Sequence, residues 1–203
     1  MPTQTFFRLP EEKRARLTQA AWQEFSSVRF SEASINRIVR AAQIPRGSFY
    51  QYFADKDDLF FYLLDTLYDA CLTLAEQALR DAAGNLFDAV PRVFDLLFTG
   101  ETQQTLAQGM ALLRQNDTMD MSQILFDRSR SCPQLDELLR RSDVSMLRQS
   151  GEAFFRDVAT LLIFNLMLAM REVLCGADFA RQRETLCSRV DIVRRGSTKG
   201  ETT

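Results

Sequence analysis

Between Ile35 and Phe53 the apolar residues return every third or fourth position, stop once, and start again. Ile35, Ile38, Val39 and Ala42 form the first series, and Phe49 and Phe53 the second. Residues spaced this way share one face of an α-helix. The gap contains Gln43, Ile44 and Pro45, and proline disfavours helix in the residue before it. The pattern predicts a helix beginning after Ser34, a good N-cap, a break near Gln43–Pro45, and a short helix over 46–53. Upstream, a helix is expected to open at Pro10, with Glu11 and Glu12 at the positive end of its dipole. Leu17, Ala20, Ala21 and Phe25 give it one apolar stripe. Two short helices across a tight turn, braced by a third, make a helix-turn-helix unit.

The remaining sequence keeps the helical period, and nowhere do apolar and polar residues alternate for long enough to make a strand. The 203 residues include only eight Gly and five Pro, so tight turns are few. The expected fold is all-α. A long helix runs from Lys56 to about Ala83 and is ended by Gly84. Further helices are expected at 86–99, 102–115, 118–128, 133–149, 151–174 and 177–195. The chain divides into a helix-turn-helix domain, 1–56, a larger helical domain, 57–195, and a polar, disordered tail, 196–203.

There is no histidine, which removes His-dependent catalysis and His metal ligands from consideration. The four cysteines are widely spread and make no C-x-x-C pair, so neither a zinc site nor a disulfide framework is expected. No metal, cofactor or catalytic residue is assigned. The first residues lack the apolar core of a signal peptide. The most apolar run, Val158 to Met170, falls short of the ~20 residues that span a bilayer. A cytoplasmic protein without a membrane partner is expected.

The net charge of −2 hides an asymmetry. Residues 1–56 carry nine basic and five acidic side chains, and the remainder 16 basic and 22 acidic. A basic head on an acidic body points to a polyanion at one end. On the 46–53 helix, Phe49 and Phe53 face inward, leaving Arg46, Gly47, Ser48, Tyr50, Gln51 and Tyr52 as the outer surface, with no acid among them. Arginine reaches guanine acceptors, and Tyr or Ser reaches phosphate oxygens. Gly47 permits close approach of a backbone, and Lys56 is placed to hold a further phosphate. The competing reading is a short amphipathic helix with an ordinary solvated face.

The stretch SINRIVRAAQIPRGSFYQYFADKDDL, Ser34 to Leu59, resembles the N-terminal signature of the TetR family of bacterial transcriptional regulators. The upstream LTQAAWQEF fits the same pattern, and the resemblance covers roughly residues 14–60. It implies that Ser34 caps the second helix near a phosphate and that Arg46 fills the basic slot directed at bases or backbone. It further implies DNA contacts by Gly47 and Ser48, base and phosphate contacts by Tyr50 and Tyr52, and a phosphate anchor at Lys56. The sequence departs from the family pattern at Arg29 and Gln43, where glycine is common, and at Pro45, where serine is.

The resemblance also implies that the residues beyond Lys56 bind a small-molecule effector and form a homodimer. Leu67, Phe87, Phe94, Phe98, Met110, Leu113 and Phe126 are candidates for an apolar pocket or for plain core. Asn165, inside LLIFNLML, is an amide that needs a partner: a ligand, a dimer mate or a backbone carbonyl. The last two long helices are expected to make a four-helix dimer interface through Leu162 and Leu166. The resulting expectation is a ligand-responsive repressor released from a palindromic operator by an apolar or aromatic molecule. The alternatives are an all-α interaction protein or an enzyme on the same fold. Asp55, Asp57 and Asp58 offer carboxylates for an enzyme, but acids at a helix start simply favour its dipole.

Overall fold

The computed structural model describes residues 1–99, 103–116 and 133–199, and every regular element among them is helical. In chain order these are α1 (Gln4–Phe7), α2 (Glu11–Ser27), α3 (Ile35–Ala41), α4 (Arg46–Tyr52), α5 (Lys56–Asp81), α6 (Leu86–Thr99), α7 (Gln103–Gln115), α8 (Pro133–Arg140), α9 (Glu152–Leu174) and α10 (Phe179–Ser197). The chain is all-α, with the helix-turn-helix pair α3–α4 at the predicted place. The helix expected at 118–128 lies outside the described residues.

Two compact units emerge. The first comprises Met1–Ala70 with Gln104–Met121, and the second Cys71–Gln103 with Ser122–Thr203. The first unit therefore takes in more than residues 1–56: the opening turns of α5 and a segment from α7 belong to it. Its core is aromatic. Phe6, Phe25, Phe49, Phe53 and Phe60 are each at most 1% exposed, together with Leu17, Ile38 and Leu63. Burying one such side chain stabilises by roughly 1.5–3 kcal/mol. Helix α1 was not foreseen. Four residues are too few to show a period, yet Phe6 is wholly buried, 4.8 Å from Phe53 and 5.1 Å from Tyr62 between ring centroids.

The turn between α3 and α4 is a Schellman motif. The Ile44 N–H donates to Val39 O at 3.0 Å and the Gln43 N–H to Arg40 O at 3.1 Å. That closure puts Gln43 in the left-handed region at φ 56°, the conformation for which glycine is the usual residue. The departure at Gln43 is thus accommodated without moving the helices, but against a preference.

In the second unit, α6, α9 and α10 pack on one another around Phe87, Val90, Phe94, Val158, Leu162, Leu186 and Val190. Helix α5 ends in a second Schellman closure, with Gly84 N–H on Leu79 O at 2.9 Å. Gly84 itself has φ 85°, and an added Cβ there would sit 3.1 Å from the Asp143 nitrogen. Two expectations are corrected here. The helix predicted over 133–149 stops at Arg140. Beyond it the Asp143 carboxylate accepts the Ser145 N–H at 2.8 Å, a local bond that competes with helix. The tail expected to be disordered from residue 196 is held through Lys199: Arg148 N–H meets Ser197 O at 2.9 Å and Lys199 N–H meets Met146 O at 3.0 Å.

Helix α9 also corrects the argument from length. The apolar run is short, but the whole helix has 23 residues, and by length and composition alone it qualifies as a membrane span. Its buried face belongs to the core just described, through Val158, Leu162 and Ala169.

Gln43→Gly is expected to stabilise the protein by about 0.5–1 kcal/mol, by relieving the left-handed conformation. Gln43→Val is expected to destabilise it by at least as much. Urea unfolding of the three proteins measures both, and equal stabilities would contradict the assignment.

Candidate nucleic-acid interface

Helix α4 is seven residues long and is held by its inner face. Phe49 and, just past its end, Phe53 are wholly buried, with ring centroids 5.8 Å apart. Its C-terminal carbonyls are capped from the N-terminal segment. The Thr3 hydroxyl donates to Gln51 O at 2.6 Å and the Thr3 N–H to Tyr52 O at 2.9 Å. Its N-cap is Pro45, extended at ψ 142°, and no side chain caps that end.

The outward face carries Arg46, Gly47, Tyr50 and Gln51, all exposed, with Ser48 half-buried. Arg46 donates to the Tyr50 hydroxyl at 3.2 Å, and its guanidinium lies 5.9 Å from the Tyr50 ring centroid. It also donates to the Asn36 Oδ1 on α3. Asn36 was not among the predicted residues, although its place on the outer side of α3, two residues after the N-cap, was a usable signal. An added Cβ at Gly47 would meet no atom within 4 Å. Among the described residues nothing calls for glycine there, and glycine weakens a helix interior by up to about 1 kcal/mol relative to alanine. Arg8, Lys13, Arg29 and Arg40 are further exposed cations of the same unit.

Tyr52 and Lys56 lie differently from expectation. Tyr52 is 9% exposed, packed toward Phe6 at 6.4 Å, because α1 covers the side on which it stands. The Lys56 ammonium donates to Phe30 O at 2.6 Å and to Ala33 O at 3.3 Å, and lies 4.5 Å from the Phe30 ring centroid. It closes the single 3-10 turn Phe30–Glu32 that leads into α3. Ser34 is the N-cap of α3, but its hydroxyl makes no cap hydrogen bond.

Glu24 ties α2 to that same start. Its carboxylate accepts the Ser34 N–H at 2.8 Å and the Arg37 Nε at 2.8 and 2.9 Å. Burial works against the charge, but the Arg37 and Ser34 hydrogen bonds, with the Arg37 and Lys56 charges, outweigh it and hold the carboxyl below the usual glutamate range. Asp55 and Asp58 open α5 as a capping pair, with the Asp58 N–H on Asp55 Oδ1 at 2.8 Å and the Ala54 N–H on Asp58 Oδ2 at 3.1 Å.

Part of this unit matches a known family. The profile of the bacterial regulatory proteins described as the tetR family matches residues 17–63. Over those residues the chain is similar to proteins of the tetR family. Over 62 residues, 30% of this chain and 27% of the other, it is 39% identical to the HTH-type transcriptional regulator HbdR of Aromatoleum sp. (strain CIB). Over 82 residues, 40% of this chain and 42% of the other, it is 35% identical to the uncharacterized HTH-type transcriptional regulator YdgC of Bacillus subtilis (strain 168). These alignments span less than half of the relatives' own length. The tetR-family fold extends further. SmeT, the repressor of the Stenotrophomonas maltophilia multidrug efflux pump SmeDEF, superposes with TM-score 0.62 at 18% identity, covering 95% of each chain. A TetR-like regulator from Rhodococcus sp. RHA1 superposes with TM-score 0.60 at 21% identity, covering 93% of this chain and all of the other.

The effector and dimer candidates fall in several places. Leu67 is buried in the first unit against Gly109, and Leu113 lies half-buried in the same unit. Phe94 and Phe98 belong to the second unit, where Phe94 stacks on Phe179 at 5.1 Å and Phe98 meets Phe179 edge-on at 5.5 Å. Met110 lies on α7 with its side chain outside the described set, and Phe126 lies outside the described residues. Asn165 satisfies its amide on its own helix, donating to Leu161 O at 2.8 Å. Leu162, expected at an interface, is 1% exposed in the core of its own chain. Leu166 is half-buried against that core. The side chains that α9 turns outward are Leu161, 52% exposed, and Phe164, 57% exposed; on α10 the corresponding residue is Ile192, 68% exposed. A continuous apolar run shows that a helix is buried on two sides but not which residue faces which.

Glu24→Gln is expected to destabilise the protein at neutral pH by about 1–2 kcal/mol and to flatten its acid unfolding. The sign follows from the depressed carboxyl. Its stabilising contribution is present above the unfolded-state value of about 4.3 and is lost as pH falls through the lower folded value. Urea midpoints from pH 3 to pH 7 measure it, and parallel curves for the two proteins would contradict the assignment.

Proposed function

We propose that the protein is a homodimeric, ligand-responsive transcriptional regulator, acting as a repressor on a near-palindromic operator. The observation that carries this reading is the outward face of α4. Arg46 and Tyr50, with Asn36 of α3 beside them, form an exposed polar cluster next to a glycine that no described residue requires, and neither helix carries an acid. A major groove admits a helix presenting such groups, with arginine directed at base edges and hydroxyls at phosphates. Ser34, Ser48 and Gln51 extend the same surface. In this reading Tyr52 and Lys56 support it from behind.

Leu161, Phe164 and Ile192 support dimerisation: they leave an apolar face on α9 and α10 that a second copy covers with the same residues. The effector is a small apolar or aromatic molecule that meets the half-buried Phe98 and Phe179 of the second unit, with Phe94 as core behind them and release from DNA as its consequence. By linkage, such a compound and operator DNA weaken each other's binding by the same factor.

The test is selection of a duplex from random sequence, followed by titration at several salt concentrations. A two-fold site is expected, with affinity falling at least about a hundredfold between 50 and 200 mM salt as counterions return to the phosphates. Failure to enrich any duplex, or salt-independent affinity, would overturn the reading. In the same assay Phe164→Glu is expected to sediment as a folded monomer and to lose two-fold site binding.

A further inference from the structure

Asn116, at the end of α7, is 2% exposed. Its Oδ1 accepts the Phe30 N–H at 2.7 Å, and its Nδ2 donates to Leu112 O at 2.8 Å. Both halves of the amide are used, which fixes its orientation; turned over, it would set a donor against a donor. Its partner Phe30 opens the turn from which α3 starts. That turn is gripped on its other groups as well: Lys56 holds the Phe30 and Ala33 carbonyls, and Glu24 holds the Ser34 N–H. Among the described residues, Asn116 supplies the grip that comes from the α7 side. The rest of α7 is seated for it. The Ser26 hydroxyl donates to Gln108 O and the Gln108 amide to Gln19 Oε1, both at 3.2 Å. Gly109 lies so close to Leu67 that an added Cβ would come within 2.5 Å of its Cδ1.

We infer that Asn116 is a positioning residue for the DNA interface: through the Phe30 N–H it fixes the turn that orients α3, and with α3 the Asn36–Arg46–Tyr50 cluster. An unmade hydrogen bond at the part-buried Phe30 N–H is costly, so the turn shifts or exchanges partners when the amide is lost. The role at DNA rests on the reading of α4 as the groove-facing helix; the role in holding the turn does not.

The experiment uses the full chain and the Asn116→Leu variant, which keeps bulk and removes the hydrogen bonds. Hydrogen exchange is followed over residues 30–41, 46–52 and 86–99, alongside titration of the selected duplex. Loss of one net hydrogen bond predicts exchange about fivefold to tenfold faster over 30–41 and 46–52, with 86–99 unchanged. Duplex affinity is expected to fall by a similar factor with the salt slope unaltered, because no phosphate contact is removed. A merely structural role would lower the melting temperature and speed exchange everywhere while leaving affinity intact below the transition. Unchanged exchange over 30–52 in a folded variant, or uniform acceleration, overturns the proposal. So does rapid exchange of the Phe30 amide in the unaltered protein, a result that needs no variant to fold. If the parent binds no duplex yet exchange shifts as expected, the DNA reading fails and the positioning role stands.

Discussion

Seven residues do not make a helix in water, where the cost of nucleation leaves such a segment marginal at best. Helix α4 exists because Phe49 and Phe53 are wholly buried and because its ends are fixed by neighbours. The burial decides everything that follows on its other side. With one face committed to the core, Arg46, Gly47, Tyr50 and Gln51 are presented to solvent in a fixed register. Phe6 packs on Phe53 behind this segment, while Phe25, Phe30 and Phe60 pack on one another in the same unit. Polar contacts then set the angle. Glu24, Lys56 and Asn116 converge on the few residues between α2 and α3, each bonding a backbone group there.

That division of labour explains which parts of the head were legible in the sequence. The apolar period over Ile35–Phe53 located α3 and α4 almost to the residue, because the core demands that spacing. Arg46, Gly47, Tyr50 and Gln51 were identifiable as the outer face for the complementary reason. Tyr52 and Lys56 were not placed correctly by period alone. Their surroundings come from α1 and from the turn before α3, segments too short to carry a period of their own. Asn116 lies 86 residues from its partner Phe30, and a contact at that separation leaves no local trace.

The second unit shows the limit of composition. Phe94 and Leu162 read equally well as pocket, interface or core, and the structure puts both in core. Past Arg140 the Asp143 N–H goes to Gly84 O and its carboxylate accepts the Ser145 N–H, bonds that compete with a continued helix. The run Val158–Met170 announced burial on more than one side. Only the phase of α9 against α6 and α10 shows that Leu161 and Phe164 are the pair this helix leaves exposed.

The proposed role of α4 is close approach to a backbone outside the chain, and Gly47 isolates it. In the free protein the position is open, with no atom within 4 Å of an added Cβ, so alanine there gains helix propensity at no steric cost. Measuring unfolding stability and duplex affinity of Gly47→Ala side by side tests this directly. The account predicts opposite signs: stability higher by about 0.5–1 kcal/mol, and affinity for the selected duplex lower by about tenfold or more, as expected for losing about 1–3 kcal/mol of contact. A variant that is more stable and binds DNA as well as the parent would contradict it.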